Sequence, residues 1–438
     1  MVTALASGIV LSALIGTPLL AVLGLLAALY FAEVAHVPLQ AMITQVKIVM
    51  EAPGLLALPL FTFMGYILSY SKASQRLADL SNNWLGWLPG GLGIATVIAY
   101  TVFSALTGGS ALAVMALGGI YYSALMKAGY DKNFALGTCT VCGGEGMLFP
   151  PSLPVIVIGF ISYQAIDELY VAGLLPGITV TAIFIVYCII HAYRVGVPSS
   201  PFQWKPAIAS LKALALEAPL PFFIIVAIFA GWMSVPEVAI VSLLYILITQ
   251  VLIRREVTIP KVIEAGTESL VLVGAIFAIL VSALTFSNFL IDQQIPQHFL
   301  EFLLRVIKSR LVFLVFLNLI LIVTGCLMDV FSAILVMVPL LLPVATGYGI
   351  DPVHFCILFL WNLELGYSTP PIGFNLFIGA FRFREPLEVL FRAVVPRLLV
   401  QALGLILIAY WPDLTLWLPT ALGMKKELIP LGSSWSGV

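Results

Sequence analysis

Apolar residues occur in this chain in runs too long and too numerous for a water-soluble core. Segments at about 7–32, 54–71, 91–106, 110–126, 133–149, 152–165 and 169–193, and again at about 218–233, 236–253, 268–291, 311–327, 332–346, 353–367, 371–381 and 389–411, carry very little charge. A helix crosses a bilayer with about 20 apolar residues, and roughly ten stretches have that character. Composition agrees: of 438 residues, 61% are hydrophobic and 9% charged, and the mean hydropathy is +1.12. A soluble chain of this size could not cover its surface with so few charges, whereas lipid lets apolar side chains face outward. The expected fold class is therefore an all-α polytopic membrane protein. Several segments of roughly 11–17 residues are too short to cross upright and call for re-entrant hairpins or broken helices.

The polar residues exclude several functions. A net charge of −1 and a pI near 6.4 supply no basic face for nucleic acid. Met1–Gly8 has no Lys or Arg, and Ile9–Ala32 is too long for the core of a signal peptide, so it reads as a first retained span. Glu33–Glu51 (with His36, Gln40, Gln45 and Lys47) and Lys72–Trp87 (with Arg76, Asp79, Trp84 and Trp87) mix polar and apolar residues at helical spacing. They read either as helices lying at the interface or as polar loops. Gly196–Lys212 reads as a polar connection. Four basic clusters, Arg194/Lys205/Lys212, Arg254/Arg255/Lys261, Arg305/Lys308/Arg310 and Arg382/Arg384/Arg392, do not sort onto one side and leave orientation open. Cys139 and Cys142 form a C-x-x-C inside an apolar helix, with no second Cys pair or nearby His, and read as packing residues. His36 and His191 stand near segment ends, His298 in a loop and His354 after Asp351-Pro352; none has a second ligand at helical spacing, so zinc catalysis has no support. No nucleophile, base and metal ligands converge, which argues against an enzyme.

Self-similarity says more. Gly129-Tyr130-Asp131 and Gly349-Ile350-Asp351 each lead to a Pro-Pro pair, Pro150-Pro151 and Pro370-Pro371, at an offset of 220 residues (129 to 349, 150 to 370). The same offset relates Gly146 to Gly366, Gly159 to Gly379, Glu168 to Glu388 and Pro176 to Pro396. Upstream, Ser110–Met115 matches Ser332–Met337 at 222 (110 to 332). An ordered series of matches over about seventy residues implies a duplication, the construction of secondary transporters whose site lies where the repeats meet. Inverted repeats further require an odd number of crossings between equivalent segments.

The two Pro-Pro pairs carry the chemistry. Proline lacks the N–H that would bond the carbonyl four residues earlier, so Pro150 and Pro151 free Gly146 and Met147, and Pro370 and Pro371 free Gly366 and Tyr367. Ser152 and Thr369 add hydroxyls. Oxygen clusters with little formal charge suit Na⁺, and unwound carbonyls hold such ions at bilayer depth. Thr107-Gly108-Gly109-Ser110 and Met328-Asp329-Val330-Phe331-Ser332 are polar tips between short apolar arms, as in re-entrant hairpins, and an exposed helix N-terminus there suits an anionic substrate group. Glu145, Asp329 and Glu364 lie in apolar segments beside the breaks, where a charge needs a partner or a purpose. Hydrogen bonding to exposed helix ends is the expected role of Asp329 and Glu364; Glu145 stands open between that role and coupling to Na⁺ or H⁺.

These residues resemble the large membrane subunit of tripartite ATP-independent periplasmic (TRAP) transporters. The resemblance rests on Leu58-Pro-Leu-Phe61 with Met64-Gly65, Leu88-Pro-Gly-Gly91, Gly129-Tyr130, Pro150-Pro-Ser152, Met328-Asp329 and Gly349-Ile-Asp-Pro-Val-His-Phe355. It rests further on Asn362-Leu-Glu-Leu-Gly366, Thr369-Pro-Pro-Ile-Gly373 and Asn375-Leu-Phe377, and covers nearly the whole chain. It implies a multi-pass protein of a bacterial or archaeal inner membrane with two inverted repeats, each holding a re-entrant hairpin and a Pro-broken helix, working as an elevator. It implies Na⁺ coupling, a small membrane partner of about four helices, a periplasmic substrate-binding protein and a small organic acid as substrate. A first ion site is implied at Thr107, Gly108, Gly109, Ser110, Gly146, Phe149 and Pro151, and a second at Asp329, Ser332, Gly366, Thr369 and Pro371, with Glu145, Ser152, Glu364 and Asn375 as substrate or coupling candidates. Gly109 stands where the family usually has Ser, and Glu145 where it has a small or apolar residue.

The expected organisation is scaffold and interfacial helices at 1–90, a first transport repeat at 91–166, scaffold helices and a connection at 167–310, a second transport repeat at 311–385, and a C-terminal helix and tail at 386–438. The alternative function is a one-component Na⁺- or H⁺-coupled carrier of the dicarboxylate or citrate type.

Overall fold

A computed structural model describes residues 8–9, 11–12, 17, 19–33, 40–197 and 201–424; His36, much of the expected first span and the tail from 425 lie outside the described residues. In the first half the helices are α1 (Leu19–Glu33), α2 (Gln40–Glu51), α3 (Ala57–Tyr70), α4 (Ala73–Leu85), α5 (Gly91–Thr107), α6 (Ser110–Lys127), α7 (Lys132–Val141), α8 (Leu153–Ser162) and α9 (Ile166–Val195). A 3₁₀ turn, Gly144–Leu148, extends α7 toward the first break. The second half has α10 (Trp204–Ala213), α11 (Pro219–Phe229), α12 (Val235–Leu247), α13 (Ile259–Asp292), α14 (Ile295–Val306), α15 (Arg310–Leu327), α16 (Val330–Gly347), α17 (Pro352–Tyr367), α18 (Phe374–Phe383), α19 (Leu387–Tyr410) and α20 (Asp413–Ala421). Among the described residues, eight helices are long and apolar enough to span a membrane.

The duplication is visible in the elements. α6 and α16 begin at Ser110 and Val330, and α7 and α17 at Lys132 and Pro352, each pair at the offset of 220 (110 to 330, 132 to 352). Asp131 and Asp351 cap α7 and α17 alike, accepting from the N–H of Phe134 and of Val353, as N-cap carboxylates do. α4 corresponds to α14, and α2 with α3 to the single long helix α13. Packing is reciprocal. The return arm of each hairpin lies on the far half of the other repeat's broken helix, α6 on α18 and α16 on α8, while α7 packs on α19 and α17 on α9.

The repeats are inverted. Arg76 bridges Glu217 and Glu256, Trp84 Nε1 donates to the Ala207 carbonyl, and Lys132 pairs with Glu385, so these loops share one end of the molecule. α13 starts beside Glu256 and runs 34 residues to the other end, where Asp292 meets Tyr30 and Tyr348 bonds the Ile307 carbonyl. The hairpin α5–α6 opens at the first end and α15–α16 at the second. The same tracing sorts the basic clusters: those of residues 194–212, 254–261 and 382–392 gather at the first end, and that of residues 305–310 stands at the second.

One open reading is settled and two local expectations change. Glu33–Glu51 and Lys72–Trp87 contain helices (α2 and α4) rather than loops alone, and Gly196–Lys212 contains most of α10. His298 lies in helix α14, not in a loop. That helix is amphipathic and too polar to register as an apolar run, so only its 3.6-residue period could have shown it. Cys139 and Cys142 are free and buried, as packing residues should be.

Candidate functional site

Both Pro-Pro pairs interrupt their helices. After α7 the chain winds through Gly144–Leu148 and extends at Phe149, and α8 leaves at an angle of 46°. α17 ends at Tyr367, and α18 begins only after Thr369-Pro370-Pro371-Ile372-Gly373. Of the four carbonyls expected to be free, two are re-bonded locally: Gly146 accepts from Phe149 N–H at 3.2 Å and Gly366 from Thr369 N–H at 2.9 Å, while Met147 and Tyr367 gain no such donor among the described residues. Loss of the i+4 donor tightens the last turn instead of leaving it open, and each carbonyl keeps a second lone pair.

Glycines let each hairpin reach its break. At the first tip Gly108 adopts φ +75°, a conformation that costs a side chain strain. A Cβ at Gly143 would come within 2.8 Å of the Ser110 carbonyl, and one at Gly108 within 2.4 Å of Leu153. The N-termini of α6 and α8 therefore meet there. In the second repeat, α15 lies on α17 so closely that a Cβ at Gly366 would stand 2.4 Å from the Ile322 carbonyl. Gly373 N–H donates to the Cys326 carbonyl at 3.2 Å, and Cys326 Sγ to the Thr369 carbonyl at 3.2 Å.

A side-chain network crosses between the repeats. Ser110 Oγ donates to Asn375 Oδ1 at 3.2 Å. Asn375 Nδ2 lies 3.2 Å from Glu364 Oε1 and 3.3 Å from Ser368 Oγ. All four residues are buried. The first hairpin tip is thus fastened to the second broken helix, and the N-terminus of α18 joins those of α6 and α8.

The remaining expected residues fall in two groups. Thr107 is buried, with its hydroxyl on the Phe103 carbonyl at 2.8 Å; Pro151 and Ser152 are buried and Phe149 half-buried. Phe149 and Pro150 border an apolar cavity of about 190 Å³ shared with Ile98, Thr101, Thr181 and Ile225. Asp329 is exposed and accepts from the N–H groups of Phe331 and Ser332, both at 3.0 Å, the helix-end role expected of it. Thr369 is half-buried with its hydroxyl on the Leu365 carbonyl at 2.6 Å, Ser332 is buried, and Pro371 is exposed. Glu364 departs from expectation: it holds the Asn375 side chain rather than a helix end.

Orphaned oxygens cluster around the breaks. Both carboxylate oxygens of Glu145, Oε2 of Glu364 and the hydroxyls of Ser104 and Ser152 are buried without a hydrogen-bond partner among the described residues. Glu145 stands outside the Ser110–Asn375 network. Sequence reading missed Ser368, whose hydroxyl closes that network, and Arg397. The guanidinium of Arg397, 1% exposed, bonds the Phe134 carbonyl at 2.7 Å and Thr138 Oγ1, and lies over the Phe134 ring. An Arg in the apolar run of α19, five positions beyond the exposed Arg392, was its signal.

Residues 4–414 match the family described as "Tripartite ATP-independent periplasmic transporter, DctM component". The chain is 31% identical over 372 residues to the C4-dicarboxylate TRAP transporter large permease protein DctM of Pseudomonas aeruginosa, covering 85% of this chain and 87% of that protein. It is 30% identical over 367 residues to the sialic acid TRAP transporter large permease protein SiaM of Vibrio cholerae, covering 83% and 86%. It is 28% identical over 381 residues to the ectoine/5-hydroxyectoine TRAP transporter large permease protein UehC of Ruegeria pomeroyi, covering 86% and 89%. Among solved structures, the Alcanivorax borkumensis YdaH transporter shares the fold at a TM-score of 0.64 with 14% identity, over 85% of this chain and 87% of that one.

Proposed function

Because the chain belongs to the tripartite ATP-independent periplasmic transporter family as a DctM component, we propose that it is the Na⁺-coupled importing subunit for a small organic acid. The observation that carries this reading is the buried chain Ser110–Asn375–Glu364, which ties the tip of one hairpin to the broken helix of the other repeat. Each break sets a helix C-terminus, rich in carbonyl oxygen, beside a helix N-terminus with unpaired N–H groups. The first suits a cation and the second an anion.

Several oxygens fit Na⁺. The Gly146 and Gly366 carbonyls each keep a lone pair, Thr107, Ser110 and Thr369 offer hydroxyl oxygens, and the unpartnered oxygens of Glu145 and Glu364 favour positive charge nearby. The bound ion supplies the charge that steadies the tips against the breaks and the free energy of its gradient. For the cycle, we assign the two hairpins and broken helices to one moving body. α9, expected in the scaffold from the sequence, and α19 travel with it, since they pack on α17 and α7; the scaffold is then α1–α4 and α10–α14. A small membrane subunit and a periplasmic binding protein complete the transporter in a bacterial inner membrane. The relatives named for C4-dicarboxylate, sialic acid and ectoine match at 31%, 30% and 28% identity, so overall similarity does not select the acid.

The test is uptake into proteoliposomes carrying the full chain with its small subunit and binding protein, across a panel of acids, with and without a Na⁺ gradient. Uptake is expected only with Na⁺, and Ser110→Ala is expected to raise the Na⁺ concentration needed by about tenfold, the loss of one to two hydrogen-bond equivalents. Equal uptake without Na⁺ would overturn the cation assignment.

A further inference from the structure

The basic end of the molecule carries a second surface. Helices α4 and α10 lie together there, with Trp84 Nε1 on the Ala207 carbonyl and Asn83 on that of Pro206. α10 buries Ala207 and Ser210 against α4 and exposes Trp204, Lys205, Ile208, Leu211 and Lys212. Phe202 sits edge-on to Trp84, Trp87 and Trp204, with ring centroids 6.3, 6.2 and 4.9 Å away. Trp87 and Trp204 are 48% and 66% exposed. Exposed apolar and aromatic side chains alternating with Lys on one helix face make an interfacial helix, and Trp prefers the headgroup level.

The charges of this surface are unspent. Arg76, Arg254, Glu217 and Glu256 satisfy one another in a buried cluster, which locks α4 to the scaffold. Arg255, one residue on, has a left-handed backbone (φ +55°) and an exposed side chain. Lys72, Lys205, Lys212 and Arg255 are all exposed, and none forms an ion pair among the described residues. An array of free cations beside a Trp cluster, at the end of a spanning bundle, complements a leaflet of anionic headgroups.

We propose that the α4–α10 surface is a docking site for anionic phospholipid headgroups and that this end of the molecule faces the cytoplasm. The phosphate and any further headgroup anion are held by Lys205, Lys212 and Arg255, while Trp204, Ile208 and Leu211 enter the acyl boundary. The scaffold is thereby held level in the leaflet while the hairpin α5–α6, joined to α4 through Gly86–Gly90, is carried past it. The orientation follows from the same sorting of Lys and Arg, which are retained on the cytoplasmic side.

The full chain in a zwitterionic detergent is titrated with brominated phosphatidylglycerol or brominated phosphatidylcholine while Trp fluorescence is followed. Phosphatidylglycerol is expected to quench at lower concentration, and Lys205→Glu with Lys212→Glu to weaken it on the order of thirtyfold, since each Lys near an anionic surface is worth about one factor of five. The matching swap at the other end, Arg305→Glu with Lys308→Glu, leaves the preference intact and shows that net charge alone is not responsible. Equal quenching by both lipids, or a preference that survives the first swap, overturns the site. Orientation is read separately with Lys205→Cys, since the five native cysteines are buried. A membrane-impermeant maleimide is expected to label it in inside-out vesicles only, and labelling in intact spheroplasts overturns the assignment. Neither readout uses Na⁺ or transport, so both stand apart from the fate of the functional proposal.

Discussion

The two breaks share a backbone plan but differ in exposure and chemistry. In the first repeat the tip is buried, runs through Gly108-Gly109 and offers no side-chain cap to α6. In the second, Asp329 stands exposed and caps α16 with its own carboxylate. The first approach to the proline pair is a 3₁₀ turn carrying the unpartnered Glu145; the second is an unbroken α-helix whose Glu364 is held by Asn375. Pro151 is buried whereas Pro371, Ile372 and Phe374 are exposed. Duplication thus preserves what the backbone must do, which is to break, and leaves the polar groups free to diverge. The first tip and break are largely buried, while Asp329 and Pro371 leave the second partly exposed.

The largest effects should come where the two repeats are most alike. A Cβ at Gly366 would meet the Ile322 carbonyl at 2.4 Å and the Cys326 nitrogen at 2.8 Å; one at Gly146 would meet the Thr101 carbonyl at 2.6 Å and the Ala105 nitrogen at 2.7 Å. Main chain of a packed helix cannot step aside as a side-chain end can, and overpacking of this kind costs about 1–3 kcal/mol or more. Gly366→Ala and Gly146→Ala are each expected to lower uptake by two orders of magnitude or more, with equal loss of thermal stability in detergent. If one break tolerated the methyl and the other did not, the shared backbone plan would fail as the common cause.

Next in size is the link between the halves. Asn375→Leu removes the donor to a fully buried carboxylate and the acceptor of the Ser110 hydroxyl. A buried polar group left without its partner costs about 1–3 kcal/mol, so the Na⁺ concentration for half-maximal uptake should rise by about tenfold. If the two sites communicate through this residue, the Hill coefficient for Na⁺ should fall toward one, a change that simple loss of stability would not produce. Ser110→Ala combined with Asn375→Leu should cost less than the sum of the single changes, because contacting residues couple by about 0.5–3 kcal/mol. Strict additivity would mean that the tip and the second break act independently.

Much of this was legible in the sequence because its cause is local. Proline without an N–H and a hairpin tip between short apolar arms act within a few residues, so the breaks and the tips could be found there; the register of 220 also paired Asp131 with Asp351, although their capping of α7 and α17 emerged only in the structure. What escaped depends on packing between distant segments. Nothing near Asn375 announces Ser110, which lies 265 positions away, and nothing near Arg76 announces Glu217 and Glu256. The fate of the Gly146 and Gly366 carbonyls was misjudged for a related reason: a proline predicts which donor is lost, whereas the replacement donor, Phe149 or Thr369, depends on how the chain turns next. The sorting of the basic clusters also waited on the fold, since each loop had first to be assigned to an end.

The smallest effect sharpens the contrast between the tips. Gly109 is the N-cap of α6, with φ −162° and ψ 136°, an extended conformation open to any residue, and a Cβ there would meet nothing within 4 Å. Gly109→Ser therefore costs no strain, and Ser at an N-cap exceeds Gly by only a few tenths of a kcal/mol. The added hydroxyl has two possible uses, and they separate experimentally. As a cap, doing for α6 what Asp329 does for α16, it would raise thermal stability slightly and leave the Na⁺ dependence alone. As a further oxygen at the first cation site, it would lower the Na⁺ concentration for half-maximal uptake. With the proline break, Ser110 and Thr107 already converging on this tip, the second outcome is expected. The shift should be about two- to fivefold, one added interaction of about 0.5–1 kcal/mol. A stability gain with unchanged Na⁺ dependence would move the first cation site away from the tip and leave the second break as the better half of the comparison.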